Sequence, residues 1–148
     1  MGDWAATHKL WEKWTANNVG SFTEPLKAAL LLHYDPAAPS RLMSFIAEQS
    51  GANFQAVELR PFLNFVKQNN LQTEFFSIGP SQYLVTSIHE QWFCARCINT
   101  SKAAGEGVIV IQTAAYLLVA MYEGSIGAAS RAMVAAEQFV WLLKRRSH

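Results

Sequence analysis

The chain has 148 residues, 51% of them apolar, 12% aromatic and 16% charged, which suits one continuous hydrophobic core and excludes both intrinsic disorder and a comfortable division into two units. With 12 basic and 11 acidic side chains the formal net charge is +1, so no global field draws the protein to nucleic acid or anionic lipid, and any such binding has to be local.

The opening residues hold no basic stretch followed by an apolar one, so no signal peptide is expected. Trp4, Leu10, Trp11 and Trp14 recur at helical intervals between residues 3 and 16, predicting an amphipathic first helix that Asn17, Asn18 and Gly20 end. Two short apolar runs, Ala28 to Tyr34 and Arg41 to Ala47, are separated by Asp35, Pro36 and Pro39 and read as strands joined by a prolyl loop. Residues 53 to 68 carry the apolar spacing of a helix, with Pro61 acceptable only in a first turn or at a kink, so the regular helix should begin late. Three strands follow, near Thr73 to Ile78, Gln82 to Ile88 and Gln91 to Ile98, with Gly79 and Pro80 marking the first turn.

Val108 to Ile111 and Tyr116 to Tyr122 are rich in β-branched and aromatic residues and flanked by Gly105, Gly107 and Gly124. They predict a hairpin buried on both faces, in competition with one long buried helix. The whole apolar stretch, Val108 to Met121, is shorter than the roughly 20 residues of a membrane-spanning helix and is broken by Gln112 and Thr113. Last comes a third helix: Ser125 is the expected N-cap, and Ile126, Ala129, Met133, Ala136, Val140 and Leu143 make an apolar stripe that closes in Lys144, Arg145 and Arg146. The pattern is one α+β domain over residues 1–148, an antiparallel sheet with helices at both chain ends covering it.

Catalytic chemistry is not announced. No two acidic residues stand closer than nine positions, His8, His33, His89 and His148 are dispersed, and neither GxSxG, a Walker loop nor GxGxxG occurs. Cys94 and Cys97 form a CxxC with no second half to complete a zinc site; on a strand, residues three apart face opposite ways, so the sulfurs should diverge. The one enzyme reading, Cys94 or Cys97 attacking with His89 as base, needs a favourable hairpin register. The protein is expected not to be an enzyme and to need no cofactor or metal.

The segment GEGVIVIQTAAYLLVAMYEGSIGAASRAMVAAEQFVWLLKRR, residues 105 to 146, resembles the closing hairpin and helix of profilins; MGDW resembles their opening, and FQAVELRPFLNFVKQNNLQTEFFSIGPSQYLV can be laid on their middle helix and strands. The resemblance, to a divergent member, implies a central antiparallel sheet with the N- and C-terminal helices on one face and a middle helix on the other. It also implies a cytoplasmic, cytoskeletal, monomeric protein that binds monomeric actin and regulates filament assembly. The residues implied for actin are Leu84, Thr86, Arg96, Ile126, Ala128, Arg131 and Ala132, the two arginines offering charge for acidic groups. Gly127, Ala128 and Ala132 either permit close approach of a partner or let the helix lie near the sheet.

A second implied surface takes proline-rich segments, of formins for example, on Trp4, Trp141, Trp11 and Phe139. That match is incomplete: Thr7 and Leu42 stand where profilins carry aromatic residues, so binding should be weak or altered. Lys144, Arg145 and Arg146 are the implied phosphoinositide contacts. The insertion-like DPAAPS segment and Pro61 depart from the family pattern. A different class stays open: longin or roadblock-like scaffold domains, which serve small GTPases or trafficking complexes, also end in a hairpin and an amphipathic helix.

Overall fold

Val108, Ile109, Val110 and Ile111 extend instead of coiling, because β-branched side chains fit a pleated surface whose two sides are both covered. In the computed structural model, which describes residues 4–20, 25–33, 46–67, 75–103, 105–113, 116–124 and 126–146, they lie in β6 (Glu106–Gln112), paired antiparallel with β7 (Tyr116–Glu123). Thr113 closes the hairpin, its backbone N–H donating to the Tyr116 carbonyl at 2.8 Å. The remaining strands are β1 (Ala28–His33), β2 (Ile46–Ser50), β3 (Phe75–Ile78), β4 (Ser81–Ile88) and β5 (Trp92–Cys97). All seven form one antiparallel sheet in the order β2-β1-β7-β6-β5-β4-β3.

Strand alternation sorts the core into two layers. Leu30, Val108, Val110, Val119 and Phe93 point to one side, where α2 (Ala56–Lys67) lays Leu59, Phe62 and Val66 against them. Leu31, Ile109, Leu118, Ala120 and Tyr122 point to the other side, beneath α1 (Trp4–Asn18) and α3 (Ile126–Arg146). The two terminal helices therefore share one face and the middle helix takes the opposite one. Cys94 packs with the terminal-helix layer and Cys97 with the α2 layer, so the sulfurs do diverge.

Three details correct the expected boundaries. β2 (Ile46–Ser50) ends later than the expected Ala47, because its register against β1 pairs Ser50 with Ala29; Tyr34, residues 41–45 with Leu42, DPAAPS, residues 73 and 74 and the Ser125 cap lie outside the described residues. α2 starts at Ala56 under a cap in which the Gln55 N–H donates to Glu58 Oε1 at 2.7 Å, the reciprocal arrangement expected of an N-terminal Glu. Pro61 falls inside the helix, at a solvent-facing position where the missing N–H leaves a carbonyl that water can satisfy.

Candidate functional site

α3 packs on β6 and β7, and α1 packs on α3 and β2, so among the described residues the terminal-helix face is largely open over β3, β4 and the Arg96 end of β5. The register places Phe75 across from Leu84, Leu84 across from Arg96, Arg96 across from Gly107 and Gly107 across from Tyr122, one row running from the open edge to the floor beneath α3. Leu84 is half-buried and Thr86 exposed. Thr86 stands at a register shift between Val85 and Ser87, with its hydroxyl donating to the Cys94 carbonyl at 3.2 Å; an extra residue at a bulge is turned out of the ladder.

On α3 the implied residues separate. Arg131 is exposed, Ala128 is half-buried against the core, and Ala132 is fully buried under the helix, which removes it from any contact surface. Ala132 thus serves helix-to-sheet approach. Gly127 does not: a Cβ there would meet nothing within 4 Å, so its lack of a side chain leaves the outer surface open. The Ile126 side chain lies outside the described residues.

Arg96, which the resemblance offers to acidic groups of actin, is turned toward its own fold. It is half-buried, and its Nη1 donates to the Gly124 carbonyl at 2.8 Å and to the Tyr122 hydroxyl at 3.2 Å. Sequence reasoning also missed Phe75, which is 60% exposed beside Leu84; the signal was available, since alternation puts Phe75 opposite the buried Phe76 and Ile78.

The aromatic residues divide as sharply. Trp11 (3% exposed) and Phe139 (0%) are core, their ring centroids 5.4 Å apart in an edge-on contact, with Trp14 4.9 Å from Phe139. The buried Trp14 indole N–H donates to the Ala135 carbonyl at 2.9 Å, which ties α1 to α3. Trp11 and Phe139 are corrected as peptide contacts, because no ligand reaches them without unpacking the two helices. Trp141, by contrast, is 54% exposed, and Arg145 lies over its ring at 4.8 Å. With Trp92, Met133 and Val140 it lines a groove of about 270 Å³ between α3 and the ends of β5 and β6, edged by Gln91, Gln112, Glu137 and Lys144. His89 stacks on Trp92 at 3.7 Å. The side chains of Trp4 and Arg146 lie outside the described residues; Lys144 and Arg145 are exposed.

Titratable groups serve the fold. Glu106 is buried at the start of β6, where burial alone would raise its pKa; hydrogen bonds from Lys27 and Thr100, and then the Lys27 charge, outweigh that and hold it below the ordinary carboxylate value. Burial pushes the Cys94 thiol up, away from a nucleophilic thiolate.

His8 on α1 meets Glu48 on β2, Nδ1 to Oε2 at 2.7 Å, and Glu12 at 3.4 Å. The Glu48 hydrogen bond, then its charge, raises the His8 pKa above the ordinary 6.5. A raised folded-state value means that this contact stabilises fully below the unfolded pKa and is lost as pH rises through the folded one. An NMR titration should therefore find the His8 midpoint above 6.5, and Glu48→Gln should bring it down; an unchanged midpoint in that variant would remove the link.

A family model described as profilin matches residues 10–147. Among solved structures, profilin II of Acanthamoeba castellanii, in a cubic crystal form, is similar with a TM-score of 0.63 at 15% identity, covering 93% of this chain and 99% of its own. Profilin IA of the same organism gives 0.60 at 16% identity over 91% and 98% of the two chains, and profilin IB gives 0.56 at 15% over 82% and 87%. At these identities the structural likeness concerns the fold. No curated protein matches the chain. The family match favours the profilin reading over the longin or roadblock one, and with nearly the whole length matched in sequence and the same fold found in solved profilins, the chain belongs to the profilin family.

Proposed function

We propose that this protein binds monomeric actin and regulates filament assembly, acting as a cytoplasmic, monomeric, non-enzymatic partner of the cytoskeleton through the open face of β3 to β5 and the first turns of α3. The observation that carries this reading is the open half of the sheet itself. Helices cover one half of that face, Phe75, Leu84 and Thr86 supply exposed or half-buried groups on β3 and β4, and Gly127 in the first turn of α3 is unobstructed, the mixture of apolar surface and backbone access that a protein partner needs.

Co-sedimentation and pyrene-actin assembly with the cognate actin test it. The wild type should slow assembly or retain monomer, and no effect at roughly tens of micromolar, where even weak specific binding registers, would sink the proposal. Gly127→Trp fills the open surface without touching the core and should weaken binding by roughly tenfold or more, with the circular dichroism spectrum unchanged.

Proline-rich segments, including those of formins, are better served by the Trp92 and Trp141 groove than by the buried Trp11 and Phe139. A polyproline II helix presents flat ring surfaces and carbonyl acceptors but few N–H donors; the groove offers two indoles and the donor groups of Gln91, Gln112 and Lys144. Trp141→Ala should then reduce the response in a tryptophan-fluorescence titration with a proline-rich peptide, while Thr7→Tyr on α1 should change little. The reverse pattern would return the site to the first helix. Lys144 and Arg145 are the groups available to phosphoinositide headgroups.

A further inference from the structure

We infer that Arg96 is a positioning residue, which locks the start of α3 to the sheet and does not itself meet the partner; the inference leans on the actin reading only for its binding measurement. Gly124 ends β7 and leads into α3. Its carbonyl accepts from Arg96 Nη1 at 2.8 Å, and its N–H donates to the Gly105 carbonyl at 2.8 Å, so the junction is gripped from two sides. The same Nη1 reaches the Tyr122 hydroxyl at 3.2 Å, and the guanidinium carbon lies 5.7 Å from the Tyr122 ring centroid.

The backbone around this side chain is cleared for it. A Cβ at Gly105 would fall 2.2 Å from Arg96 Nη2, and one at Gly107 would fall 2.3 Å from the Tyr122 hydroxyl. Two glycines thus vacate the path by which Arg96 crosses β6 to reach β7 and the α3 junction. An arginine aimed at a partner would need neither vacancy. Nη1 holds its two N–H bonds in the guanidinium plane and so meets both acceptors in fixed directions, at a reach that the shorter lysine side chain does not match. What the lock secures is a relation between two elements: Leu84 and Phe75 sit on the sheet, Gly127 and Arg131 sit on α3, and a partner that reads both needs them at a constant offset.

Arg96→Lys and Tyr122→Phe, made in the full chain, test this through two readouts. The first is hydrogen exchange of amides 124–133 in the free protein; the second is actin affinity. Arg96→Lys should speed exchange in that segment by roughly tenfold or more, the scale of losing a charge-assisted hydrogen bond, and should weaken binding although the charge is kept. Tyr122→Phe, at a position only 2% exposed and out of a partner's reach, should move both readouts the same way by less. Unchanged exchange in both variants overturns the inference, and so does wild-type affinity in Arg96→Lys. If the wild type itself binds no actin, the actin reading falls while the exchange data still decide whether the lock exists.

Discussion

Replacing Phe139 by alanine is expected to lower the unfolding free energy by about 3–5 kcal/mol, the range for truncating a large aromatic in a packed core. The ring is fully buried, with Trp11 edge-on at 5.4 Å and Trp14 at 4.9 Å, and its removal would leave two indoles facing a void that Trp14, pinned through its N–H to Ala135, cannot swing to fill. Against a typical domain stability of about 5–15 kcal/mol, that loss brings the variant near unfolding at physiological temperature. Urea denaturation followed by tryptophan fluorescence measures it, since two of the five tryptophans, Trp11 and Trp14, touch the deleted ring. Phe139→Leu, which keeps most of the volume, should recover much of the loss. A change within about 0.5 kcal/mol, as for an ordinary surface residue, would show that the two terminal helices are not packed through this ring.

The order of elements was legible in the sequence, and for a reason that the structure makes plain: the hairpin of β6 and β7 is buried on both faces, so it reads as unbroken apolar runs, whereas α3 is buried along one stripe. Boundaries were less legible. β2 is placed by its hydrogen bonds to β1, and nothing within residues 41 to 50 alone says where that ladder ends. The candidate site was legible only where position follows from local periodicity. Leu84 is on the surface that strand alternation assigns, and the same rule would have found Phe75; Thr86 is turned out by a register shift that alternation does not foresee. Trp11 and Phe139 were misplaced because a helical stripe reveals that a face is apolar without revealing what covers it; here each helix covers the other. The setting of Arg96 was not legible for a related reason. Its partners, Tyr122 and Gly124, are 26 and 28 residues away, and only the sheet order β7-β6-β5 brings them together.

Gly107→Ala tests that non-local arrangement most severely, because the usual expectation has the opposite sign. Gly107 sits inside β6 with ordinary extended backbone, where alanine normally stabilises by reducing the freedom of the unfolded chain. Here its Cβ would fall 2.3 Å from the Tyr122 hydroxyl oxygen and 2.5 Å from the ring carbon that bears it. Tyr122 is buried, so the ring cannot simply swing into solvent; it must shift against Ala120 and the underside of α3, and its hydroxyl must leave Arg96. Overpacking of this kind and the weakened hydrogen bond together should destabilise by about 2–4 kcal/mol. Thermal or urea unfolding reads the total, and a double-mutant cycle reads the cause. With Tyr122→Leu in place the obstructing oxygen and ring edge are gone, so Gly107→Ala should become nearly neutral, a coupling of about 2–4 kcal/mol between the two positions, the size of the penalty removed. Additive losses would mean that the glycine is required by the backbone and not by the tyrosine, and the cleared path from Arg96 to the start of α3 would lose its physical basis.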